Sequence, residues 1–291
     1  MSLLVTGGSG QLAQALAALG ARVVGRPNFD FDRPETIATI FAAAAPSLVV
    51  NAAAYTAVDA AENDAASAMR ANCTGPEMLA RLCAQAGIPL IHLSTDYVFD
   101  GSKGAPYMES DPTAPLGVYG RSKLAGEQAV LAACPRAIVL RTSWVYAARG
   151  KNFVRTMLGA AAKTNHLRVV ADQTGCPTAA IDLADTIMAI ATRIARDGWR
   201  DAYAGIFHAA GMGATTWHGF ATAIFATAEK HGMAPPVVEA ISTADWPTPV
   251  RRPTDARLDC GKLESVFGLR LPPWQDSLAR VIGAICATPG K

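Results

Sequence analysis

A glycine-rich segment near the start of the chain follows a short apolar run and precedes an Ala/Leu-rich segment. The apolar run at 3–5 predicts a strand, and residues 11–19 predict a helix. Between them, Gly7 permits a tight turn and Gly10 lets the backbone approach a pyrophosphate, which the N–H groups at the following helix N-terminus attract. Ala13 replaces the last glycine of the usual pattern with the next smallest residue. This order predicts a dinucleotide-binding turn.

Apolar runs and helical patterns alternate through the first half of the chain. Such alternation predicts an α/β fold, a Rossmann-type doubly wound parallel sheet that is covered by helices on both faces. In such a sheet the ligand lies beyond the carboxyl ends of the strands, where the polar motifs of this chain also fall. The predicted strands are 3–5, 22–25, 47–51, 90–94 and 137–142, and the predicted helices are 11–19, 34–44, 65–86 and 119–133.

The second half is less regular and is interrupted by loops rich in Pro and Gly. We expect residues 1–146 to form an NAD(P)-binding Rossmann domain and residues 147–291 to form mainly a smaller C-terminal substrate-binding domain. The segment 168–196, which begins with a strand at 168–170, can return to the first sheet. Further helices are predicted over 182–196, 216–231 and 274–286.

Charge and composition exclude several classes of protein. The net charge of the 291 residues is +2, which gives no electrostatic reason to expect nucleic acid or an anionic membrane as a partner. No apolar stretch is long enough to span a bilayer, and the chain begins with a predicted strand and no charged leader. The six cysteines are scattered without a CxxC pair, which predicts free thiols in a cytoplasmic protein and no metal site.

Tyr119 and Lys123 are four positions apart in a segment with a helical pattern, so they are expected on one helix face. A tyrosine has a pKa of about 10, and a nearby ammonium group lowers it. The pair could therefore transfer a proton near neutral pH. A Tyr-x-x-x-Lys match alone is weak evidence, because most such pairs are surface residues. The glycine turn and the Ser-Thr-Asp segment at 94–96 strengthen it.

Arg26 ends the second predicted strand, where an acidic residue usually binds the adenosine ribose of NAD. No carboxylate follows until Asp30. An arginine at this position can pair with a 2′-phosphate, which favours NADPH as the cofactor, with NADH possible. The alternative is a solvated surface arginine.

Together these motifs resemble the extended short-chain dehydrogenase/reductase family. The resemblance is carried by the TGGSG turn at 6–10, NAAAYT at 51–56, STDYVF at 94–99 and YGRSK at 119–123. RTSWVY at 141–146, DQTGCPT at 172–178 and TWH at 216–218 extend it into the second half. The resemblance is closest to members that reduce the 4-keto group of dTDP-4-dehydro-L-rhamnose with NADPH to give dTDP-L-rhamnose. It therefore implies a nucleotide-sugar substrate.

The resemblance also implies a role for each matching residue. Tyr119 donates a proton to the keto oxygen, Lys123 lowers the pKa of that tyrosine and binds the nicotinamide ribose, and Thr95 polarises the keto oxygen. The implied substrate-binding residues are Thr95, Asp96, Trp144, Arg252 and Arg257. The implied cofactor-binding residues are Gly7, Gly10, Gln11, Leu12, Arg26, Asp30, Phe31, Ala53, Ala54, Tyr55, Thr56, Tyr119 and Lys123.

Alternatives remain at this stage. Asp96 could cap a turn, Trp144 could be a core residue, and the two C-terminal arginines could be surface charges. The protein could be another nucleotide-sugar epimerase or dehydratase of the same superfamily, or a non-catalytic NADP-binding regulatory subunit. Some relatives form dimers bridged by a metal that a glutamate of the first helix binds. Residues 11–16 carry no acidic side chain, so we expect a monomer or a homodimer without a bridging metal.

Overall fold

A computed structural model describes residues 2–287 of the chain. The strands within these residues are β1 Leu3–Thr6, β2 Arg22–Val24, β3 Leu48–Asn51, β4 Leu90–Thr95, β5 Ala137–Thr142, β6 Val145–Tyr146, β7 His166–Val170, β8 Thr174–Gly175, β9 Thr178–Ala179, β10 Gly205–His208, β11 Thr215–Thr216 and β12 Val237–Ile241. Six of them form a central sheet in the order β10-β5-β4-β3-β1-β2, and all neighbours in it are parallel. The predicted α/β fold with a parallel sheet is confirmed.

The helices connect these strands and cover the sheet. They are α1 Gln11–Ala18, α2 Pro34–Ala44, α3 Val58–Ala61, α4 Ala65–Met69, α5 Gly75–Gln85, α6 Val118–Ala133, α7 Phe153–Ala161, α8 Ala180–Asp197, α9 Trp217–Glu229, α10 Gly261–Phe267 and α11 Trp274–Ala287. A π-helical segment spans Arg70–Thr74, and short 3₁₀ turns span Asp96–Val98, Asp201–Tyr203 and Thr243–Asp245. Among residues 2–287, no helix combines the length and apolar character that a bilayer span requires.

Alternate side chains of the central strands pack into two different cores, because successive residues of a strand point to opposite faces. In β1, Leu3 and Val5 join a core that α1, α8 and α10 cover. Leu4, between them, joins a second core on the opposite face, which α2, α5 and α6 cover. Helices therefore cover both faces of the sheet, and all four residues of β1 are buried.

Most predicted element bounds agree with the structure. The five predicted strands differ from the observed ones by at most one residue at an end, and the helix over 34–44 matches α2. The predicted helix over 65–86 is wrong in detail, because α4, the π-helical segment and α5 follow one another there. Asn72 lies in the π-helical segment and is fully buried, with its side chain bonded to both the N–H and the C=O of Tyr55.

The prediction that a strand at 168–170 can return to the first sheet is wrong. β7 pairs with β12 in a separate two-stranded parallel sheet, and β10 occupies the edge beside β5. The reason is packing: Leu167 and Val169 contact a third core that includes Val154 of α7 and Phe220 of α9. The following helix α8 does pack against α1 and the central sheet.

Helix α6 approaches the π-helical segment so closely that only glycine fits at one position. A Cβ atom at Gly126 would lie 1.9 Å from the carbonyl oxygen of Asn72, whereas one at Gly159 of α7 would meet nothing within 4 Å. We expect Gly126→Ala to lower the free energy of unfolding by about 1–3 kcal/mol, the usual cost of overpacking. Gly159→Ala, the matched control, should raise it by about 0.5–1 kcal/mol because alanine favours a helix. Urea unfolding measures both, and a neutral Gly126→Ala would contradict the close approach of α6 to Asn72.

Candidate active site

The carboxyl ends of β1, β3, β4 and β5 meet at one edge of the sheet, where a cavity of about 830 Å³ opens. The strand order reverses between β1 and β3, which is where ligands bind in sheets of this kind. Asp30, Arg252 and Arg257 do not line this cavity. The predicted residues that do line it are Gly7, Gly10, Gln11, Leu12, Arg26, Phe31, Ala53, Ala54, Tyr55, Thr56, Thr95, Asp96, Tyr119, Lys123 and Trp144.

The glycine turn after β1 brings three backbone segments into contact. Gly7 has φ of 110°, and a Cβ atom on it would lie 2.9 Å from the carbonyl carbon of Ala52. A Cβ atom on Gly25 would lie 2.5 Å from the Cα of Gly8. This part of the cavity wall is bare backbone at the start of α1, which suits the pyrophosphate of a dinucleotide. The residues present therefore fit such a cofactor.

A buried polar chain crosses the sheet below the glycine turn. The Thr6 hydroxyl donates to Asn51 Oδ1 over 2.6 Å, and Asn51 Nδ2 lies 2.9 Å from His92 Nδ1. All three side chains are fully buried. Burial, and then the nearby charge of Lys123, hold the pKa of His92 well below its usual value. These hydrogen bonds could not be predicted from the sequence, because the three residues are far apart in it.

Tyr119 and Lys123 project from adjacent turns of α6 into the cavity, as predicted. The Lys123 amine is buried and donates to the carbonyl of Leu93 over 2.5 Å. Burial lowers the pKa of Lys123 to about 8, and the charge of Glu127 opposes that shift. Burial also favours the neutral form of Tyr119 and therefore raises its pKa, whereas a hydrogen bond with Thr95 acts to lower it. The predicted lowering of the tyrosine pKa by Lys123 is wrong here, because burial outweighs the other influences and the amine is turned towards β4.

Thr95 and Asp96 lie at the end of β4, beside Tyr119. The Thr95 hydroxyl donates to Asp96 Oδ1 over 2.9 Å. Burial raises the pKa of Asp96 to about 7, although Thr95 and Ser143 act in the opposite direction through hydrogen bonds. Among the described residues, Asp96 Oδ2 has no hydrogen-bond partner. The site thus holds a carboxyl group that can exchange a proton near neutral pH.

An aromatic pair closes the other side of the cavity. Trp144 has the uncommon φ of 47°, and its ring stacks on that of Trp217 at 3.5 Å with an angle of 7° between the planes. A Cβ atom at Gly175 would lie 2.5 Å from Trp144 Cε2, so a glycine is needed behind the ring. Trp217 also lines the cavity, and sequence analysis did not predict it as a site residue. Trp217 belongs to the TWH motif at 216–218 that carries the family resemblance, and this motif is the signal that could have indicated it.

Arg26 lines the cavity but is already paired with carboxylates. Its Nε donates to Asp30 over 2.9 Å and its Nη2 to Asp32 over 2.6 Å. Arg70 also donates to Asp32, and the hydrogen bond from Arg70 holds the pKa of Asp32 below its usual value. The Arg26 side chain is 65% exposed, so its charge is available to a ligand, although it is shared with two acidic partners.

The two predicted C-terminal arginines are also paired. Arg252 Nη2 donates to both carboxylate oxygens of Asp59 over 2.7 Å, and its guanidinium lies 5.9 Å from the centre of the Tyr97 ring. Arg257 binds the carboxylate of Asp255. Within residues 2–287, no group of three or more His, Cys, Asp or Glu side chains is arranged to hold a metal ion.

Comparison with known proteins shows similarity over nearly the whole chain. The family model described as RmlD substrate binding domain matches residues 1–286. The dTDP-4-dehydrorhamnose reductase of Sinorhizobium fredii is 47% identical over 98% of this chain and 98% of its own length. The enzyme of the same name from Escherichia coli K12 is 41% identical over 99% of both chains.

Solved structures agree with these relatives. The dTDP-4-dehydrorhamnose reductase of Clostridium acetobutylicum superposes with a TM-score of 0.87 at 32% identity, covering 97% of this chain and 99% of that one. The Bacillus anthracis protein of the same name, solved in complex with NADP, has a TM-score of 0.87 at 30% identity, covering 96% and 97%.

The raised pKa of Asp96 makes stability depend on pH. An aspartate in the unfolded chain titrates near about 3.9, so the folded state binds a proton more tightly. This group's contribution to stability is therefore full below about pH 4 and is lost as pH rises through about 7. Asp96→Asn cannot titrate. We expect its free energy of unfolding, relative to that of the unsubstituted protein, to rise by up to about 1.4 kcal/mol per pH unit between these values.

Urea unfolding of both proteins from about pH 4 to about pH 8 measures this difference, in which the titration of all other groups cancels. A difference that does not change with pH would show that Asp96 titrates near its ordinary value in the folded protein.

Proposed function

Because the chain belongs to the RmlD substrate binding domain family, we propose that it reduces the 4-keto group of dTDP-4-dehydro-L-rhamnose with NADPH to give dTDP-L-rhamnose. The observation that carries this proposal is the meeting of Thr95, Tyr119 and Lys123 at the cavity that the glycine turn also lines. A regulatory subunit without catalysis would have no need of these three side chains together. NADPH, when bound, supplies the hydride that the C4 carbon accepts.

The chain's own groups account for the proton in this reaction. Hydride addition places negative charge on the keto oxygen, and Tyr119 donates a proton to that oxygen as a general acid. The Thr95 hydroxyl would stabilise the same oxygen by turning its one proton away from Asp96 Oδ1 and donating it to that oxygen.

The glycine turn and the segment after β3 would hold the cofactor. Gly7, Gly10, Gln11 and Leu12 would bind its pyrophosphate, and Ala53, Ala54, Tyr55 and Thr56 would line it. Asp30 and Phe31 would flank the adenine, and Lys123 would bind the nicotinamide ribose. In support, the buried Asn72 fixes the backbone of Tyr55 through two hydrogen bonds.

Asp96 and Trp144 would face the sugar or its nucleotide, since both line the cavity beside Tyr119. Arg252 and Arg257 would bind the substrate diphosphate, although their guanidinium groups are paired with Asp59 and Asp255. Most of residues 147–291 would form the substrate side, as a smaller C-terminal domain around the core that contains Phe220. A cytoplasmic location belongs to the same proposal and is supported by six cysteines that are free thiols; cell fractionation would check it.

We expect the protein to be a monomer, or a homodimer formed without a bridging metal. The first turn of α1 carries no acidic residue, and a hard divalent cation needs several oxygen ligands. Light scattering with and without EDTA tests this, and a fall in mass on chelation would contradict it.

The proposed reaction is tested by mixing the protein with the 4-keto sugar nucleotide and NADPH and following the absorbance of the reduced cofactor. Tyr119→Phe keeps the ring and removes the acidic proton, so we expect turnover to fall by about 10²–10⁴-fold, the scale of a positioned general acid. NADPH affinity, measured by fluorescence, should change little. An unsubstituted protein without turnover would refute the function, and an active Tyr119→Phe would remove this tyrosine from the mechanism.

The preference for NADPH over NADH is expected to depend on how the Arg26 charge is divided between the 2′-phosphate and the carboxylates of Asp30 and Asp32. Arg26→Ala removes a charged partner of the 2′-phosphate, so the NADPH/NADH ratio of kcat/KM should fall by about tenfold, a moderate value because the group is exposed. Asp32→Asn weakens the competing carboxylate, so the ratio should rise. Arg81→Ala on the outer face of α5 is the matched control and should leave the ratio unchanged. Ratios that do not move in either site variant would make Arg26 a surface residue only.

A further inference from the structure

Three side chains on successive turns of α6 face the end of β4. Tyr119, Lys123 and Glu127 are spaced by four residues, so they form one stripe along the helix. Lys123 donates to the carbonyl of Leu93, and Ser94 donates to Glu127 Oε1 over 2.5 Å. The first two members of the stripe belong to the proposed machinery, and nothing so far explains the third.

Glu127 is held in a buried ion pair. Arg141 donates through Nε to Glu127 Oε1 over 2.9 Å and through Nη2 to Glu127 Oε2 over 2.7 Å. The exposed fractions of these side chains are 2% and 1%. Ser94 and Arg141 are paired neighbours on β4 and β5, so the carboxylate ties α6 to two adjacent strands.

A buried ion pair contributes little to holding a helix in place, because the free energy needed to remove two charges from water is often larger than the free energy of their attraction. Apolar side chains would pack the same space at lower cost. This cost favours a role for the charge itself over a role in packing. The ammonium of Lys123, one helical turn away on the same face of α6, is a group on which that charge can act.

Among residues 2–287, the charge that acts on Lys123 comes from Glu127. On its own helix, Tyr119 and Glu127 lie one turn away on either side, and from β4 His92, whose pKa burial lowers, is near enough to be influenced by the Lys123 charge. The Arg141 guanidinium on β5 is directed at Glu127, and the adjoining π-helical segment contributes the uncharged Asn72 at this contact. Glu127 is thus the anion that opposes the effect of burial on Lys123.

We propose that Glu127, fixed by Arg141 and Ser94, is a positioning residue that holds the Lys123 amine at β4 and keeps it protonated at neutral pH. Its carboxylate supplies the negative charge, and the guanidinium fork prevents that carboxylate from turning towards the cavity. The relevance to catalysis rests on the proposed function, whereas the protonation of Lys123 can be measured without any turnover.

The test is a pH titration of the lysine side chains by NMR in protein labelled with ¹³C-lysine. The chain has seven lysines, and Lys123→Arg identifies the resonance of interest. In Glu127→Gln we expect the titration midpoint of Lys123 to move to lower pH by about one unit, the scale of a single neighbouring charge. The alkaline limb of the kcat profile should move with it.

Two further variants complete the experiment. Glu127→Gln/Arg141→Gln leaves no unpaired buried charge, so it keeps the test available if Glu127→Gln does not fold, and it should show the same direction of shift. Glu77→Gln, which alters a carboxylate on the outer face of α5, is the matched control and should titrate like the unsubstituted protein.

An unmoved Lys123 midpoint in a folded Glu127 variant would overturn the proposal, even if kcat fell, because a purely structural role lowers kcat without moving the titration. Failure of the proposed function is a different result: the unsubstituted protein would not reduce the sugar nucleotide, while the NMR midpoints would still be measured.

Discussion

The amine of Lys123 lies almost completely out of water at the carboxyl edge of the sheet, and the surrounding side chains are arranged to allow this. Burial lowers its pKa to about 8, so a neighbouring charge can change its protonation near neutral pH. The Leu93 carbonyl accepts one of its protons, and the ion pair of Glu127 with Arg141 lies one turn below. The acid, the lysine and the buried pair therefore depend on the same contact between α6 and β4.

Close backbone approaches keep that contact in place. A side chain on Gly126 would strike the carbonyl of Asn72, and a side chain on Gly7 would strike the backbone of Ala52. The first approach fixes α6 beside the π-helical segment, where Asn72 in turn fixes the loop at Tyr55. Glycine at these two positions therefore shapes two sides of one cavity, the side formed by α6 and the side formed by the glycine turn.

The alternation of apolar runs and helical patterns was sufficient to predict five of the six strands of the central sheet, because strands and helix faces follow from local spacing, but β10 was not predicted. Most of the predicted residues that line the cavity came from the family resemblance. Partners that are distant in the sequence could not be predicted. The pairing of β7 with β12, the stacking of Trp217 on Trp144 and the sharing of Arg26 by two carboxylates arise only when the chain is folded. The pKa of Tyr119 was predicted in the wrong direction, because helical spacing indicates a charged neighbour but not the extent of burial.

In the proposed reaction, these groups direct hydride from NADPH to C4 of a 4-keto nucleotide sugar and protonate its oxygen. The most direct measurement uses NADPH that carries deuterium at C4 of the nicotinamide, with NMR of the sugar product. We expect deuterium at C4 of the sugar, from one face of the nicotinamide, in amounts equal to the cofactor oxidised. Product without deuterium at that carbon, or oxidation of the cofactor without reduction of the sugar, would contradict it.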